Sequence, residues 1–501
     1  MKTPMTPALI LMLLAGSAAA EETAPPAPVV PAAALAERLR VLENENVALR
    51  DALAQLADSS RRLAALEARL AALTSPASPA PAPAAAVEDR LAKLEAENAA
   101  LREAVKKGET RPGAAPSLSL FGGARVRLTG YLDVGYFDAA GDGTAYVRDA
   151  GKVLHPEFAD VPWVFVGDPW SNPINSQGDS ADLGLDRTNL LRFDPIHSGG
   201  RPSFLVNTMN LGLVGTVRPQ LLFETSIGFE PRSGSLGSSG DQFDVDLAYL
   251  EWIPFKTHDL HVFAGKFEST FGIEYPHRKA PDRFNITPSL IHRYTSGNPT
   301  GLKVRGSTWK GRLTVNVALT NGSMNTESFA HFSDEIDTNG GKTVSGRVSL
   351  KLPIKPTLEL GASGLYGAQD QRLDDIDPYR QFGFDALFRT GGLTVRAEWL
   401  KALANRNHTP SVNWLDSKGG YAEGSYQALS WLGVYLRGDH RKAALRADTN
   451  LYLSDTVRAT MGLRLDPTPN IIAKAEYLRI KQRHGPALAD DVFTSSLIFK
   501  F

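Results

Sequence analysis

The chain has 501 residues, a formal net charge of −1 at pH 7 and no cysteine. Near-neutral charge argues against a polyanionic partner such as nucleic acid, and the lack of cysteine excludes a disulfide framework and a cysteine-linked lipid. Mean hydropathy is −0.19 and, past the first 20 residues, no apolar run approaches the ~20 residues a membrane helix needs; a membrane β-barrel has the same profile, because only alternate residues face lipid.

Residues 1–20 carry Lys2, an apolar core from Ala8 to Ala15, and Ala18-Ala19-Ala20 ahead of Glu21-Glu22. Charge, short apolar stretch and small-residue site predict a signal peptide, with the mature chain starting near Glu21, beyond the inner membrane. Residues 21–110 are predicted to be a periplasmic coiled-coil segment with Pro/Ala linkers. Leu35, Leu39, Leu42, Asn46, Leu49, Leu53 and Leu56 alternate spacings of four and three, as do Val87, Leu91, Leu94, Asn98, Leu101 and Val105, which is the seam of a coiled coil. R-L-R-V-L-E-N-E-N-V-A-L-R from Arg38 matches R-L-A-K-L-E-A-E-N-A-A-L-R from Arg90, with Asn46 and Asn98 at equivalent positions. A seam Asn fixes register and strand number. Thr74 to Ala86 is a stiff Pro/Ala spacer between the two seams. Self-association into a homotrimer, a single exposed helix, and two helices folded back within one chain all satisfy this pattern.

Residues 124–501 are predicted to form an all-β transmembrane barrel of about 16 antiparallel strands. The strands are placed near 124–137, 203–216, 219–230, 242–253, 260–268, 300–307, 311–320, 342–352, 357–367, 379–390, 392–403, 424–437, 442–452, 456–465, 470–481 and 491–501. Connections alternate in length. Those around 217 and at 254–259, 308–311, 353–356, 390–392, 438–441 and 466–470 are short; those at 138–202, 231–241, 269–299, 321–341, 368–378, 404–423 and 482–490 are mostly long, with Ser454-Asp455 the exception. Short turns at one end and long loops at the other characterise outer-membrane barrels. In the last strand Phe493, Ser495, Leu497, Phe499 and Phe501 share one face, and a terminal Phe resembles the sorting signal of bacterial outer-membrane proteins. The expected location is the bacterial outer membrane, in contact with its lipid, with the N-terminal segment in the periplasm.

Alternation also predicts the lumen. Leu393, Val395, Ala397 and Trp399 oppose Arg396 and Glu398; Val457, Ala459, Met461, Leu463 and Leu465 oppose Arg458, Thr460 and Arg464. An Arg or Lys on the lipid face costs ~2–4 kcal/mol at mid-bilayer, so these charges are expected inside, in water. The predicted pore wall comprises Arg305, Arg347, Arg396, Arg446, Arg458 and Arg464. A basic excess lowers the barrier for anions; pairing of the same charges across strands would merely hydrate the wall.

The segment G-K-F-E-S-T-F-G-I-E from Gly265, the basic His277-Arg278-Lys279, the apolar Ser289-Leu290-Ile291, the Gly297-Asn298-Pro299 run and G-L-K-V from Gly301 resemble the matching region of phosphate-selective porin O/P-type proteins. The coiled-coil head resembles that of trimeric diffusion porins with a periplasmic stalk. The resemblance implies an outer-membrane porin whose third outer loop folds inward as a constriction formed by His277, Arg278, Lys279, Arg283, His292 and Arg293, with Glu274 and Asp282 as counter-charges. Loop cations that bind lipopolysaccharide are the competing reading. The expected function is a water-filled channel for small anionic or polar solutes. The alternative is a structural anchor reaching the cell wall through the coiled coil. No enzyme activity, cofactor or metal is expected: histidines are scattered and no G-x-S-x-G elbow occurs.

Overall fold

The structure is a computed structural model of the whole chain. It describes residues 117–120, 124–141, 143–144, 146–168, 171, 190–191, 201–229, 243–295, 297–321, 340–367, 379–404, 414–447 and 450–501. The predicted signal peptide and coiled coil lie outside the described residues.

Twenty strands are described: β1 (Ser117–Leu120), β2 (Ala124–Gly141), β3 (Tyr146–Asp149), β4 (Trp163–Val166), β5 (Leu190–Leu191), β6 (Ser203–Arg218), β7 (Leu221–Phe229), β8 (Phe243–Trp252), β9 (Asp259–Lys266), β10 (Thr300–Thr308), β11 (Leu313–Thr320), β12 (Thr343–Lys351), β13 (Thr357–Gly367), β14 (Tyr379–Thr390), β15 (Leu393–Ala404), β16 (Trp414–Leu429), β17 (Leu432–Ala447), β18 (Asn450–Thr468), β19 (Ile471–Gln482) and β20 (Ala489–Lys500). Among them, β2 and β6 to β20 form a closed antiparallel barrel of sixteen strands. Closure joins β20 to β2, from Tyr131 opposite Lys500 to Gly141 opposite Asp490. Phe501 extends the ladder by exchanging backbone hydrogen bonds with Gly130 at 3.0 and 3.1 Å. Closure removes the unpaired edges that hydrocarbon does not tolerate.

The alternation is physical. Leu302, Val304, Val344, Val348, Val395, Leu436, Met461, Leu463 and Leu497 are exposed on the outside. Large aromatic residues flank this apolar band at both ends. Trp252, Phe255, Trp309, Tyr426, Trp431 and Phe499 stand toward the short connections, and Phe204, Phe243, Tyr366, Phe382, Phe384 and Phe493 toward the long ones. Paired aromatic girdles mark the two interfaces of a membrane barrel.

Three strands differ from the sequence reading. Residues 438–441 lie inside β17 and Ser454-Asp455 inside β18, while a turn falls at 430–431 and β17 runs on to Ala447. Gly438, Asp439 and His440 have turn composition, but Asp439 and Arg441 are buried in the interior with Tyr435 and Arg437, so the ladder continues through them. The shift carries Arg446 to the outside. It shares a face with Lys442 and Ala444 in an unbroken register, and so does not belong to the pore wall. The long connection 138–202 contains β3 to β5; β4 runs parallel to Asn450–Leu453 of β18, beyond the end of β19, and Phe165 stacks on Tyr452 at 4.9 Å. Ahead of the barrel β1 pairs with the start of β2, in a stretch read from sequence as linker.

Candidate functional site

Residues 267–299 join β9 to β10 and fold into the barrel interior. The loop contains Pro276, Pro281, Pro288 and Pro299, and proline disfavours regular structure. Its peptide groups therefore need other partners, and inward-facing wall side chains supply them. Glu398 accepts the Ile273 and Glu274 N–H groups at 3.2 and 3.3 Å. Glu476 accepts those of Ile286 and Thr287 at 2.6 and 3.0 Å, and Asp439 that of Leu290 at 3.1 Å.

Cations grip the carbonyls. Lys474 Nζ donates to Ala280, Arg283 and Asn285 carbonyls at 2.6, 2.6 and 3.1 Å. Arg464 donates to Pro281 and Arg283 at 3.0 and 2.9 Å, Arg437 to Thr287 and Pro288 at 2.9 and 3.1 Å, and Arg458 to Pro288 at 2.5 Å. Hydrogen bonds to a charged partner contribute ~1.5–3 kcal/mol each, so this network outweighs any single apolar contact of the loop. The apolar contacts are two patches: Phe271, Ile291 and Tyr294 pack on Tyr379, Leu400, Ala402, Leu415 and Tyr421, and Ala280 packs on Tyr131, Ile472 and Ile498. On the opposite wall Lys279 meets Glu224 at 3.4 Å and Arg278 meets Asp246 at 3.8 Å. Thr270 and Ser345 share a hydrogen bond of 2.8 Å, and Ser363 accepts the Gly272 N–H at 3.1 Å. The loop thus reaches strands on both sides of the lumen.

Gly272 has φ +73°, and a Cβ there would collide with the Glu398 carboxylate. Gly272→Ala combines a left-handed backbone with that clash. It is expected to weaken loop anchoring by about 1–3 kcal/mol, seen as faster proteolytic nicking within 267–299 in an otherwise folded barrel.

Of the six loop candidates, Arg278, Arg283, His292 and Arg293 are only 6, 3, 5 and 7% exposed. Arg283 donates to the Arg278 and Ile286 carbonyls at 3.1 and 3.4 Å, and Arg278 lies 5.1 Å from the Tyr275 ring centroid. His292 stands 3.6 Å from Glu274, whose carboxylate also accepts the Ser289 N–H at 2.8 Å. All four side chains are buried, Arg283 and His292 against the loop's own groups and Arg278 between the loop and Asp246 of the wall. His277 and Lys279 alone among the six keep partial exposure.

Burial and then the neighbouring Arg396 push the His277 imidazole down to about 4, against a smaller opposing pull from Asp282. A base whose folded pKa is depressed is neutral at pH 7 and gains its proton only as pH falls through the folded value. Any charge dependence of ion passage due to His277 should therefore be flat from pH 7 to 5 and appear near pH 4. Reversal potentials measured across that range, with His277→Gln lacking the acid step, check this.

The wall candidates divide. Arg347 is held by Asp385 at 2.6 and 2.9 Å and by Glu359 at 3.1 Å. Arg458 meets Asp439 at 3.3 Å and Arg464 meets Asp466 at 2.9 Å. Arg305 is exposed and Arg396 half-buried on the inward face. Sequence reasoning missed Arg437, Asp439 and Arg441, because it ended a strand at 437. Continued alternation of Tyr435, Arg437, Asp439 and Arg441 against Leu436, Gly438, His440 and Lys442 was the available signal.

A closed sixteen-strand barrel with an apolar exterior, aromatic girdles and a charged interior defines a porin-type β-barrel. The chain belongs to the family described as "Putative beta-barrel porin-2, OmpL-like", whose model matches residues 223–501, more than half of its length. No curated protein matches it. Solved structures similar to it include the outer-membrane channel DcaP of Acinetobacter baumannii (13% identity, TM-score 0.46, covering 77% of this chain and 100% of that one). The outer-membrane expressed OmpT of Vibrio cholerae (10%, 0.44, 77% and 100%) and an anion-selective porin from Comamonas acidovorans (10%, 0.45, 75% and 100%) are two others.

Proposed function

We propose that this barrel is a diffusion channel of the bacterial outer membrane for small hydrophilic solutes, with residues 267–299 as its narrowing and a preference for anions. One observation carries the preference. Acidic wall residues are consumed, and several basic ones are not. Glu398, Glu423, Asp439 and Glu476 are 3, 4, 5 and 1% exposed, bound to the loop or to Arg437. Glu224, Glu359 and Asp385 are paired with Lys279 or Arg347, and Glu251 and Asp259 with His261. By contrast Arg305, Lys351, Arg389 and Arg396 face inward with water contact and no carboxylate within 4.0 Å among the described residues. The charge left for a passing ion is positive, with Asp282 on the loop and Asp259 at the end of β9 as exposed opposing groups. A confined positive field raises local anion concentration. In this reading the long connections face the cell exterior, the amino end lies in the periplasm and the molecule assembles as a homotrimer.

The test is planar-bilayer recording of the purified protein in a KCl gradient. Ohmic steps with an anion-sided reversal potential are expected; silent membranes despite a folded, inserted barrel would overturn the channel.

A further inference from the structure

Three lysines stand side by side on the outer surface, toward the long connections. Lys401 of β15 is in register with Lys418 of β16, and Lys418 with Lys442 of β17. All three share the outward face with Trp399, Ala422 and Leu436. Neighbouring strands lie ~4.8 Å apart, and like charges directly opposite each other repel.

Nearby acids do not cancel the row. Asp416 reaches Lys401 only at 4.0 Å. Asp455, in register with Lys442, is taken by His440 at 3.0 Å and His484 at 2.7 Å. One strand further, Arg479 and Lys481 are exposed on the same face, with Asp491 3.9 Å from Arg479. Five cations therefore confront four carboxylates among the described residues, Asp416, Asp455, Asp491 and Glu157, and the last of these stands 3.2 Å from His155.

Two hollows adjoin this charge. The lysines border a cavity of about 490 Å³ roofed by His155, Glu157 and Phe158, and Phe158, Ala444 and Leu453 all pack against the buried cluster of Val161, Val164, Val166 and Leu451. A groove of about 470 Å³ lies below, floored by Ala422, Gly438 and Ala459 and walled by Leu436, Met461 and Tyr477. A Cβ on Gly438 would meet nothing within 4 Å. Four residues of strand separate Lys442 from Gly438, about 13 Å, the scale of a lipid headgroup above the start of its chain.

We propose that the outer face of β15 to β19 holds a phosphorylated lipid of the surrounding leaflet, its phosphate on the lysine row and an acyl chain in the groove. Charge selects this occupant over a second copy of the chain, which would bring no surplus of negative charge to five cations. The proposal rests on the barrel spanning a membrane and is independent of ion conduction.

The experiment is native mass spectrometry of the full-length protein in detergent, titrated with diphosphoryl lipid A and, separately, phosphatidylcholine. Lipid A adducts are expected to form preferentially. Lys401→Gln/Lys418→Gln/Lys442→Gln should weaken them about a hundred-fold. Gly438→Leu, which fills the groove and leaves every cation in place, should weaken them as well. Lys418, Gly438 and Lys442 are exposed and Lys401 is half-buried on the outward face, so heat-modifiable mobility should stay unchanged. Equal lipid A binding by wild type and the triple variant would overturn the proposal. So would a Gly438→Leu protein whose oligomer mass changes while lipid binding does not, which would assign the groove to contact between copies.

Discussion

Glu476→Ala is expected to produce a folded barrel with larger and noisier single-channel steps than the wild type. Glu476 is 1% exposed and accepts two backbone N–H groups of the loop, from Ile286 and Thr287, as well as the Tyr435 hydroxyl. Alanine leaves these donors buried without an acceptor, at ~1–3 kcal/mol apiece. The barrel ladders have sixteen strands to hold them, whereas the loop depends on such side-chain grips. The least costly relaxation is for 284–290 to leave the wall and take water as acceptor. If that segment narrows the passage, conductance rises when it lets go. Glu476→Gln keeps one acceptor and should fall between the two. Wild-type conductance in the alanine variant, with the loop newly open to protease, would show that 267–299 does not limit the pore.

That grip explains which parts of the molecule could be read in advance. A two-residue period is local information, and Leu393 to Trp399 or Val457 to Leu465 declare their faces without knowledge of any partner. Strand number and the separation of short from long connections follow from the same pattern. The errors came where composition imitates a turn. Gly438-Asp439-His440 broke a strand because Gly and Asp usually punctuate, yet here Asp439 points inward to Arg437 and Arg458 at 3.0 and 3.3 Å.

The candidate site was less legible, for a different reason. A carboxylate at an inward position looks the same in sequence whether it meets water or a peptide N–H. Glu476 binds Ile286 across 190 positions and Glu398 binds Glu274 across 124; no local pattern encodes such pairs. The loop arginines posed the converse problem. Arg278 and Arg283 belong to a basic stretch that suits an anion site, but their burial makes them internal ties. Arg305 and Arg396, read only as wall residues, retain the water contact that an ion would use.

The distinction yields a selectivity prediction of opposite outcomes. Arg305→Gln/Arg389→Gln/Arg396→Gln should move the reversal potential from the anion side to zero or beyond, without loss of folded protein. A unit charge acts on an ion 7 Å away with about 0.6 kcal/mol even at the dielectric constant of water. It favours anions and penalises cations by equal amounts, so each removal lowers the permeability ratio several-fold at low salt, and less once the Debye length shrinks to ~3 Å at 1 M. Arg278→Gln/Arg283→Gln should behave differently. Those side chains are 6 and 3% exposed, and their loss removes the contacts to Asp246, Ile286 and the Arg278 carbonyl. The expected result is a less stable loop and irregular conductance with the sign of selectivity retained. A sign change in the loop variant with none in the wall variant would put the ion path along Arg278 and Arg283 and remove Arg305, Arg389 and Arg396 from it.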